Sequence, residues 1–285
     1  MDRRDFLKAL GVGMAGAALE GLLSPADLLA KGSGGGKEFF GVLVDTTRCI
    51  GCRSCELACA EANGLPLPDI EDTSVFEHER HPTPTQWTVV NRFETEKGEV
   101  FVKRQCMHCC QPACVAGCPV KAMQKKPEGP VIWEENCIGC KTCIFSCPFG
   151  IPTLENKAFP KIQKCILCWP RLKEGKIPAC VEACPQEALI FGTRRELLEE
   201  ARARIYQHPD RYVHYIYGEH EIGGTCWLYL SSVPFDQIGL RTDLDNVALP
   251  RHTTGFLYAV PLVLVLWPTF LLGVWRTTER REEEE

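Results

Sequence analysis

Short apolar runs, some of them alternating with polar residues, recur through the middle of the chain and predict short strands. Five segments carry this pattern, at 41–45, 87–94, 99–104, 131–133 and 188–191. The second and third segments are joined through Lys97 and Gly98, which predicts a β-hairpin. Because the strands are short and a hairpin joins two neighbouring ones, the pattern favours an α+β fold.

Beyond the strands, the pattern predicts one amphipathic helix and one long loop. Thr193 and Glu196 have the spacing of a capping box. The apolar residues that follow recur at helical spacing: Leu197, Leu198, Ala201 and Ile205. Pro209 marks the end of this helix. Residues 61–86 are polar and rich in proline, which predicts a surface loop that either docks a partner or is simply solvated.

Near the C-terminus, residues 255–275 form an uncharged stretch of 21 residues. A helix of that length spans about 31 Å, enough to cross the hydrocarbon core of a bilayer. Tyr258 and Trp275 lie near its two ends, where interfacial aromatic rings belong. A buried core helix is the alternative. The arginines in the tail 276–285 predict a cytoplasmic C-terminus and place the bulk of the chain on the periplasmic side of the inner membrane.

The N-terminus predicts export. Arg3 and Arg4 precede a modest apolar stretch rich in glycine and alanine, which is typical of a twin-arginine signal peptide over residues 1–30. The alternative is an ordinary amphipathic start with two chance arginines. Residues 31–40 are rich in glycine and predict a flexible linker.

Composition narrows the class of protein. The chain has 285 residues, of which 45% are hydrophobic and 24% charged, which excludes a disordered chain and a wholly membrane-embedded one. The formal net charge of −5 argues against a nucleic-acid partner, because such proteins present a basic face.

The chain contains 18 cysteines, and sixteen of them fall into four groups of four. The first group is Cys49, Cys52, Cys55 and Cys59, and the third repeats its spacing at Cys137, Cys140, Cys143 and Cys147. The second group is Cys106, Cys109, Cys114 and Cys118, and the fourth is Cys165, Cys168, Cys180 and Cys184. Three thiolates from one tight loop can hold three corners of a [4Fe–4S] cluster, while the cysteine after the three-residue gap ligates the neighbouring cluster.

Other uses of cysteine fit this spacing poorly. Zinc ribbons use pairs of cysteines and leave the third and fourth of each group without a role. Disulfides suit an exported protein but do not favour three cysteines within seven residues, twice. Cys110 and Cys226 remain outside the groups. A register that used Cys110 would break the two-residue spacing, so we predict that it is not a ligand, and Cys226 is predicted to be a packed thiol.

In the order and the spacing of its four cysteine groups, the sequence resembles the four-cluster ferredoxin-like subunits of bacterial respiratory enzymes. These include the HybA-type subunit of membrane-bound uptake [NiFe] hydrogenases and the beta subunit of molybdenum or tungsten formate dehydrogenases. The resemblance runs from about residue 41 to residue 275. It implies four [4Fe–4S] clusters in a domain over 41–250, with an inner two-cluster module at about 100–160 inserted into an outer one.

The resemblance also implies how the cysteines are shared among clusters. The first cluster would take Cys49, Cys52, Cys55 and Cys184, and the second Cys59, Cys165, Cys168 and Cys180. The third would take Cys106, Cys109, Cys114 and Cys147, and the fourth Cys118, Cys137, Cys140 and Cys143. Basic residues beside the loops would offset the cluster charge or be ordinary surface residues: Arg48, Arg53, Lys141, Lys161 and Lys164.

The sequence carries no recognisable catalytic constellation. The cysteine pairs of a nickel–iron centre and a Ser/His/Asp motif do not occur in it. We therefore expect a non-catalytic electron-transfer subunit. Its implied partners are a periplasmic catalytic subunit, of the hydrogenase or alternatively the formate dehydrogenase type, and an integral membrane subunit that reduces quinone. The lipid bilayer is a further expected partner, which would hold residues 255–275. A reductase with its own substrate site and a metal-storage protein are the competing classes.

Overall fold

The computed structural model describes residues 38–134, 136–155 and 160–282. The predicted signal peptide and most of the predicted linker lie outside the described residues. The described chain mixes short strands and helices, so the predicted α+β class is confirmed.

A three-stranded sheet supports the cysteine loops. Strand β1 (Phe40–Asp45) lies between two partners, β8 (Leu189–Thr193), which is antiparallel, and β9 (Trp227–Leu230), which is parallel. Both faces of the sheet are covered, since Val42, Leu43 and Val44 are at most 1% exposed. Strands β1 and β8 were predicted. Strand β9 was not, because a fully buried run of four apolar residues shows no alternation.

One face of this sheet packs on helix α6 (Arg194–Gln207). Leu197, Leu198 and Ala201 of α6 contact Leu43 and Leu228 of the sheet. The predicted capping box is confirmed, because the Glu196 carboxylate accepts a hydrogen bond from the Thr193 backbone N–H at 3.0 Å. The opposite face of the sheet is left for the cysteine loops.

Three hairpins complete the strands. The predicted hairpin is confirmed as β2 (Val89–Thr95) and β3 (Gly98–Arg104), with Val89 opposite Arg104. The other two pair β4 (Met123–Lys125) with β5 (Val131–Trp133), and β6 (Thr153–Glu155) with β7 (Lys161–Gln163). Of these, only β5 was predicted, because it is wholly apolar, whereas β4, β6 and β7 each contain a single apolar residue.

Five short helices carry or flank the cysteines: α1 (Ser54–Asn63), α2 (Ala113–Ala116), α3 (Thr142–Phe145), α4 (Trp169–Lys173) and α5 (Ala179–Glu182). Left-handed residues precede three of them, Arg53, Lys141 and Cys168, with φ between 48° and 61°. Each of these three helices therefore begins at a sharp turn that directs the chain around a thiol.

The segment 61–86 is tied to the body of the protein. It contains a 3₁₀ turn, Thr73–Phe76. The Arg80 guanidinium and the Gln86 amide both donate hydrogen bonds to the buried carboxylate of Glu56 on α1. The expectation of a loop that is only solvated is therefore too simple, since its C-terminal part closes over the first cysteine group.

The C-terminal helix α7 (Leu249–Glu282) is longer than the predicted span. Its portion Leu249–Arg276 is 28 residues long with a mean hydropathy of 2.1, and none of its most apolar stretch is buried. It is the one helix among the described residues that is long and apolar enough to cross a membrane. Near its start, the Arg251 guanidinium donates to the Gln111 side chain at 3.2 Å, which places the root of α7 beside α2.

Candidate metal centres

The first and third cysteine groups have the same backbone as well as the same spacing. Gly51 and Gly139 occupy the left-handed region with φ of 72° and 70°, and Arg53 and Lys141 follow with 60° and 61°. A side chain at Gly51 would meet the Phe101 ring, so both the conformation and the space require glycine there. The sequence repeat is therefore a structural repeat of one ligand loop.

Strand pairing brings the first and fourth groups together. Strand β1 ends at Asp45, just before Cys49, and β8 begins at Leu189, just after Cys184. Since the two strands are antiparallel with Val44 opposite Leu189, their cysteine ends meet. Four thiols line the resulting pocket, which has about 420 Å³ of space: Cys49, Cys52, Cys55 and Cys184.

A second pocket of about 320 Å³ lies at the third group. Its thiols come from Cys118 and from the three cysteines of the loop, Cys137, Cys140 and Cys143. Its apolar wall includes Met123 and Trp133, from β4 and β5, together with Ile162 of β7. The two unpredicted hairpins therefore enclose this pocket.

The remaining thiols gather in two further sets. Burial, and then the charge of Cys106, Cys147 and Cys114, raise the pKa of Cys109. Burial together with the charge of Cys165, Cys180 and Cys168 likewise raises the pKa of Cys59, against the opposing effect of Lys103. The structure thus brings together Cys59 with Cys165, Cys168 and Cys180, and Cys106 with Cys109, Cys114 and Cys147.

These four thiol sets are numbered one to four in the order in which they adjoin one another. Set one is Cys49, Cys52, Cys55 and Cys184; set two is Cys59, Cys165, Cys168 and Cys180; set three is Cys106, Cys109, Cys114 and Cys147; set four is Cys118, Cys137, Cys140 and Cys143. Cys55 interacts with Cys180, Cys165 with Cys106, and Cys114 with Cys143. These electrostatic interactions show that set one adjoins set two, set two adjoins set three and set three adjoins set four, so the sets follow one another in a row.

The thiols fit a cluster better than a single ion. Burial raises the pKa of Cys49 to about 11 and those of Cys114 and Cys165 to about 12, so these thiols stay neutral unless a metal displaces their protons. Among the described residues, no three cysteine, histidine or acidic side chains converge closely enough to hold one ion. Thiols around the rim of a pocket suit an inorganic group of several atoms, as in a [4Fe–4S] cubane.

Comparisons with known proteins agree with this chemistry. Two sequence profiles described as 4Fe-4S dicluster domains match residues 48–122 and 98–194. The hydrogenase-2 operon protein HybA of Escherichia coli O157:H7 is 34% identical over 315 residues, which cover 95% of each chain. The chain belongs to this family of iron–sulfur subunits.

Other relatives of the subunit point the same way. A protein of Nitratidesulfovibrio vulgaris is 46% identical over 294 residues, covering 99% of the subunit and 78% of that protein. The iron–sulfur subunit of the nitrate-inducible formate dehydrogenase of Escherichia coli K12 is 39% identical over 196 residues, or 66% of each chain. The subunit carries four [4Fe–4S] clusters and is an electron-transfer subunit of the hydrogenase, formate dehydrogenase or dimethyl sulfoxide reductase type.

Of the basic residues expected beside the clusters, Arg53 lines the pocket of the first group and Lys141 lines the pocket of the third. Arg53 is buried, but its guanidinium pairs with the Glu56 carboxylate at 3.1 Å. Lys161 is exposed, whereas Lys164 is buried and donates to the carbonyl of Cys165 at 3.0 Å. Lys103 was not predicted, because in the sequence it is an ordinary lysine of a strand. Burial alone lowers the pKa of Lys103, but the charge of Cys180, Cys55 and other nearby thiolates outweighs it and raises that pKa.

The two cysteines outside the sets are partners of each other. The Cys226 backbone N–H donates to Met107 at 3.1 Å and that of Cys110 to Gly224 at 2.9 Å. A hydrogen bond from the Cys226 thiol lowers the pKa of Cys110 below that of an ordinary cysteine. Cys226 is fully buried, as expected of a packed thiol, but no motif in the sequence predicts its interaction with Cys110.

Proposed function

We propose that the subunit relays electrons from a periplasmic catalytic subunit of the uptake [NiFe] hydrogenase type to a membrane subunit that reduces quinone. The observation that carries this proposal is the single row of four thiol sets. At one end of the row, sets three and four lie next to α2, which contacts the root of the apolar helix α7. Iron–sulfur clusters supply one-electron carriers, and the chain contributes their spacing, burial and electrostatic environment.

The hydrogenase type is favoured over the formate dehydrogenase type by how far each likeness extends. The similarity to HybA covers 95% of both chains, whereas the similarity to the formate dehydrogenase subunit covers 66%. The predicted export signal on the subunit itself also favours the hydrogenase type. A formate dehydrogenase partner is the second candidate, supported by the higher identity of 39% within the matched part.

The proposed location follows from the two termini. Helix α7 anchors the subunit in the inner membrane as a single pass, and the arginines after residue 275 favour a cytoplasmic tail. The twin-arginine signal at 1–30 would carry the folded domain to the periplasm with its clusters already in place. Both expectations put the catalytic partner on the periplasmic side.

We also propose that each of the four thiol sets holds one cluster. Cys147→Ser should then remove or degrade the third cluster, because Cys147 lies with Cys106, Cys109 and Cys114 rather than with its own loop. We expect iron to fall from about sixteen atoms per chain to about twelve if the cluster is lost, or to about fifteen if it becomes a three-iron species. Iron and acid-labile sulfide analysis of anaerobically purified protein measures this.

Cys110→Ser and Cys226→Ser are the matched controls. Both remove a thiol from the same region, and both should leave about sixteen iron atoms per chain, because neither residue belongs to a thiol set. Loss of a cluster in Cys110→Ser would show that the second loop uses a different register.

A redox titration separates an electron relay from the competing classes. We expect several reversible one-electron steps, monitored by electron paramagnetic resonance, and no turnover of hydrogen or formate by the subunit alone. Turnover by the isolated subunit would identify a reductase. Clusters that cannot be reduced and reoxidised would identify a storage protein.

A further inference from the structure

We propose that Lys103 is the shared counter-cation of thiol sets one and two, and that it raises the reduction potentials of the two clusters held there. This inference rests on the ligand sets proposed above. It assigns to one buried side chain an electrostatic role that the cysteine motifs do not reveal.

The first support is position. Lys103 lies on β3, is 3% exposed, and lines the pocket of set one beside Cys49, Cys52 and Cys55. Its ammonium also interacts with Cys59, Cys165 and Cys180 of set two. The side chain therefore stands where the first two sets adjoin, within the electrostatic reach of both.

The second support is the way in which the side chain is held. The Lys103 ammonium donates to the Gln105 side-chain oxygen at 3.0 Å and lies 4.5 Å from the centre of the Trp227 ring. The Gln105 amide donates to the Tyr229 hydroxyl at 2.7 Å, and that hydroxyl donates to the Lys103 carbonyl at 2.8 Å. This closed ring of hydrogen bonds fixes the position of the ammonium. It uses one of the three N–H donors of the ammonium and leaves the others for further acceptors.

The third support is that no carboxylate pairs with the Lys103 ammonium among the residues that the structure describes. The nearby Glu56 is already paired with Arg53 and Arg80. An ammonium buried without a counter-charge is strongly unfavourable. The negative charge that balances Lys103 must therefore come from the thiolates and the clusters that they hold.

This charge balance has a direct redox consequence. A cubane with four thiolates carries a charge of about −2 when oxidised and about −3 after it accepts one electron. A fixed positive charge stabilises the more negative form, so it raises the potential of each cluster beside it. Other groups dominate the surroundings of sets three and four, namely Lys164 and neighbouring thiols at Cys114 and the thiols of its own set at Cys143, so the potentials there should stay nearly unchanged.

The test uses the full-length subunit in detergent with Lys103→Met, Lys103→Gln, Lys103→Arg and Lys97→Met. Lys97 is exposed at the turn of the same hairpin, so Lys97→Met removes an equal charge outside the core. Iron analysis comes first, followed by potentiometric titration monitored by electron paramagnetic resonance. We expect Lys103→Met to make two of the four clusters at least tenfold harder to reduce. For a one-electron couple, this corresponds to a reduction potential about 59 mV more negative. The other two clusters, and all four in Lys97→Met and Lys103→Arg, should keep their potentials.

The remaining outcomes also decide the question. Four unchanged potentials in Lys103→Met, or an equal shift of all four, would overturn the inference. If Lys103→Met and Lys103→Gln both lose iron while Lys103→Arg keeps it, the charge is needed for assembly and the counter-cation role stands. If Lys103→Arg loses iron as well, the residue acts through packing and the inference fails. Unmodified protein with fewer than four clusters would instead refute the ligand sets.

Discussion

Replacement of Glu56 by glutamine is expected to destabilise the part of the subunit around thiol set one by about 3–5 kcal/mol. The Glu56 side chain is fully buried between the cysteines of the first loop. It accepts hydrogen bonds from the Gln86 amide at 2.9 Å and the Val90 backbone N–H at 2.6 Å. It also pairs with the guanidinium groups of Arg53 and Arg80 at 3.1 and 2.6 Å.

The cause of this loss is an uncompensated charge. Glutamine has nearly the same shape but no negative charge, so Arg53, which is 2% exposed, would remain buried as a cation without its counter-charge. The segment 61–86 would lose its attachment through Arg80 and Gln86, and solvent would reach set one more easily. We expect the visible absorbance of the clusters to bleach at least about tenfold faster in guanidinium under anaerobic conditions, since about 1.4 kcal/mol is a factor of ten.

Glu99→Gln is the matched control. Glu99 forms an ion pair with Arg92 at 3.3 Å, and both side chains are substantially exposed. Such surface pairs contribute about 0–1 kcal/mol, so this variant should bleach at the rate of the unmodified protein. Equal rates in Glu56→Gln and Glu99→Gln would show that the buried carboxylate does not hold the outer loops together. Bleaching is measured instead of an equilibrium constant because a protein with tightly bound clusters does not unfold in two states.

Deletion of residues 255–285 is expected to release a soluble protein that keeps four clusters. The deletion removes the apolar part of α7 but retains the contacts of its root, Arg251 with Gln111 at 3.2 Å and His252 with Asp245 at 3.4 Å. The most apolar stretch of the helix has no part buried against the rest of the protein, so the body should fold without it. Insertion of about 20 apolar residues into lipid is effectively irreversible, so the change in location should be nearly complete.

The truncated protein should keep one of its two electron-transfer steps and lose most of the other. It should still accept electrons from its catalytic partner, because all four thiol sets lie within residues 49–184. Quinone reduction by the assembled complex should fall by at least about tenfold, because the membrane subunit is no longer held beside sets three and four. Fractionation after a salt wash and a quinone-reduction assay measure the two effects.

Deletion of residues 283–285 alone controls for handling and for loss of the chain end. That variant keeps the whole apolar segment and should stay in the membrane fraction. If the protein truncated at residue 255 also stayed there and supported full quinone reduction, α7 would be dispensable. The route to the membrane would then depend on contacts of the soluble domain alone.

The sequence determined those features that depend on residues close together in the chain. The spacing of Cys49, Cys52 and Cys55 reaches around one pocket because a single tight loop can present three thiols to it. The hairpin at β2 and β3 and the capping box at Thr193 are also local, since a turn or one helical turn fixes them. The apolar length of α7 follows from composition alone.

The tertiary structure decided which distant residues meet, because strand pairing and burial bring together segments that no local pattern connects. The resemblance implied that Cys184 joins the first loop, and the physical reason is the antiparallel register of β1 and β8. Strand β9 was missed because it is buried on both faces and has no alternating pattern. Lys103 looks like any strand lysine in the sequence. Only the packed fold shows that it is buried among thiols with no carboxylate to balance its charge.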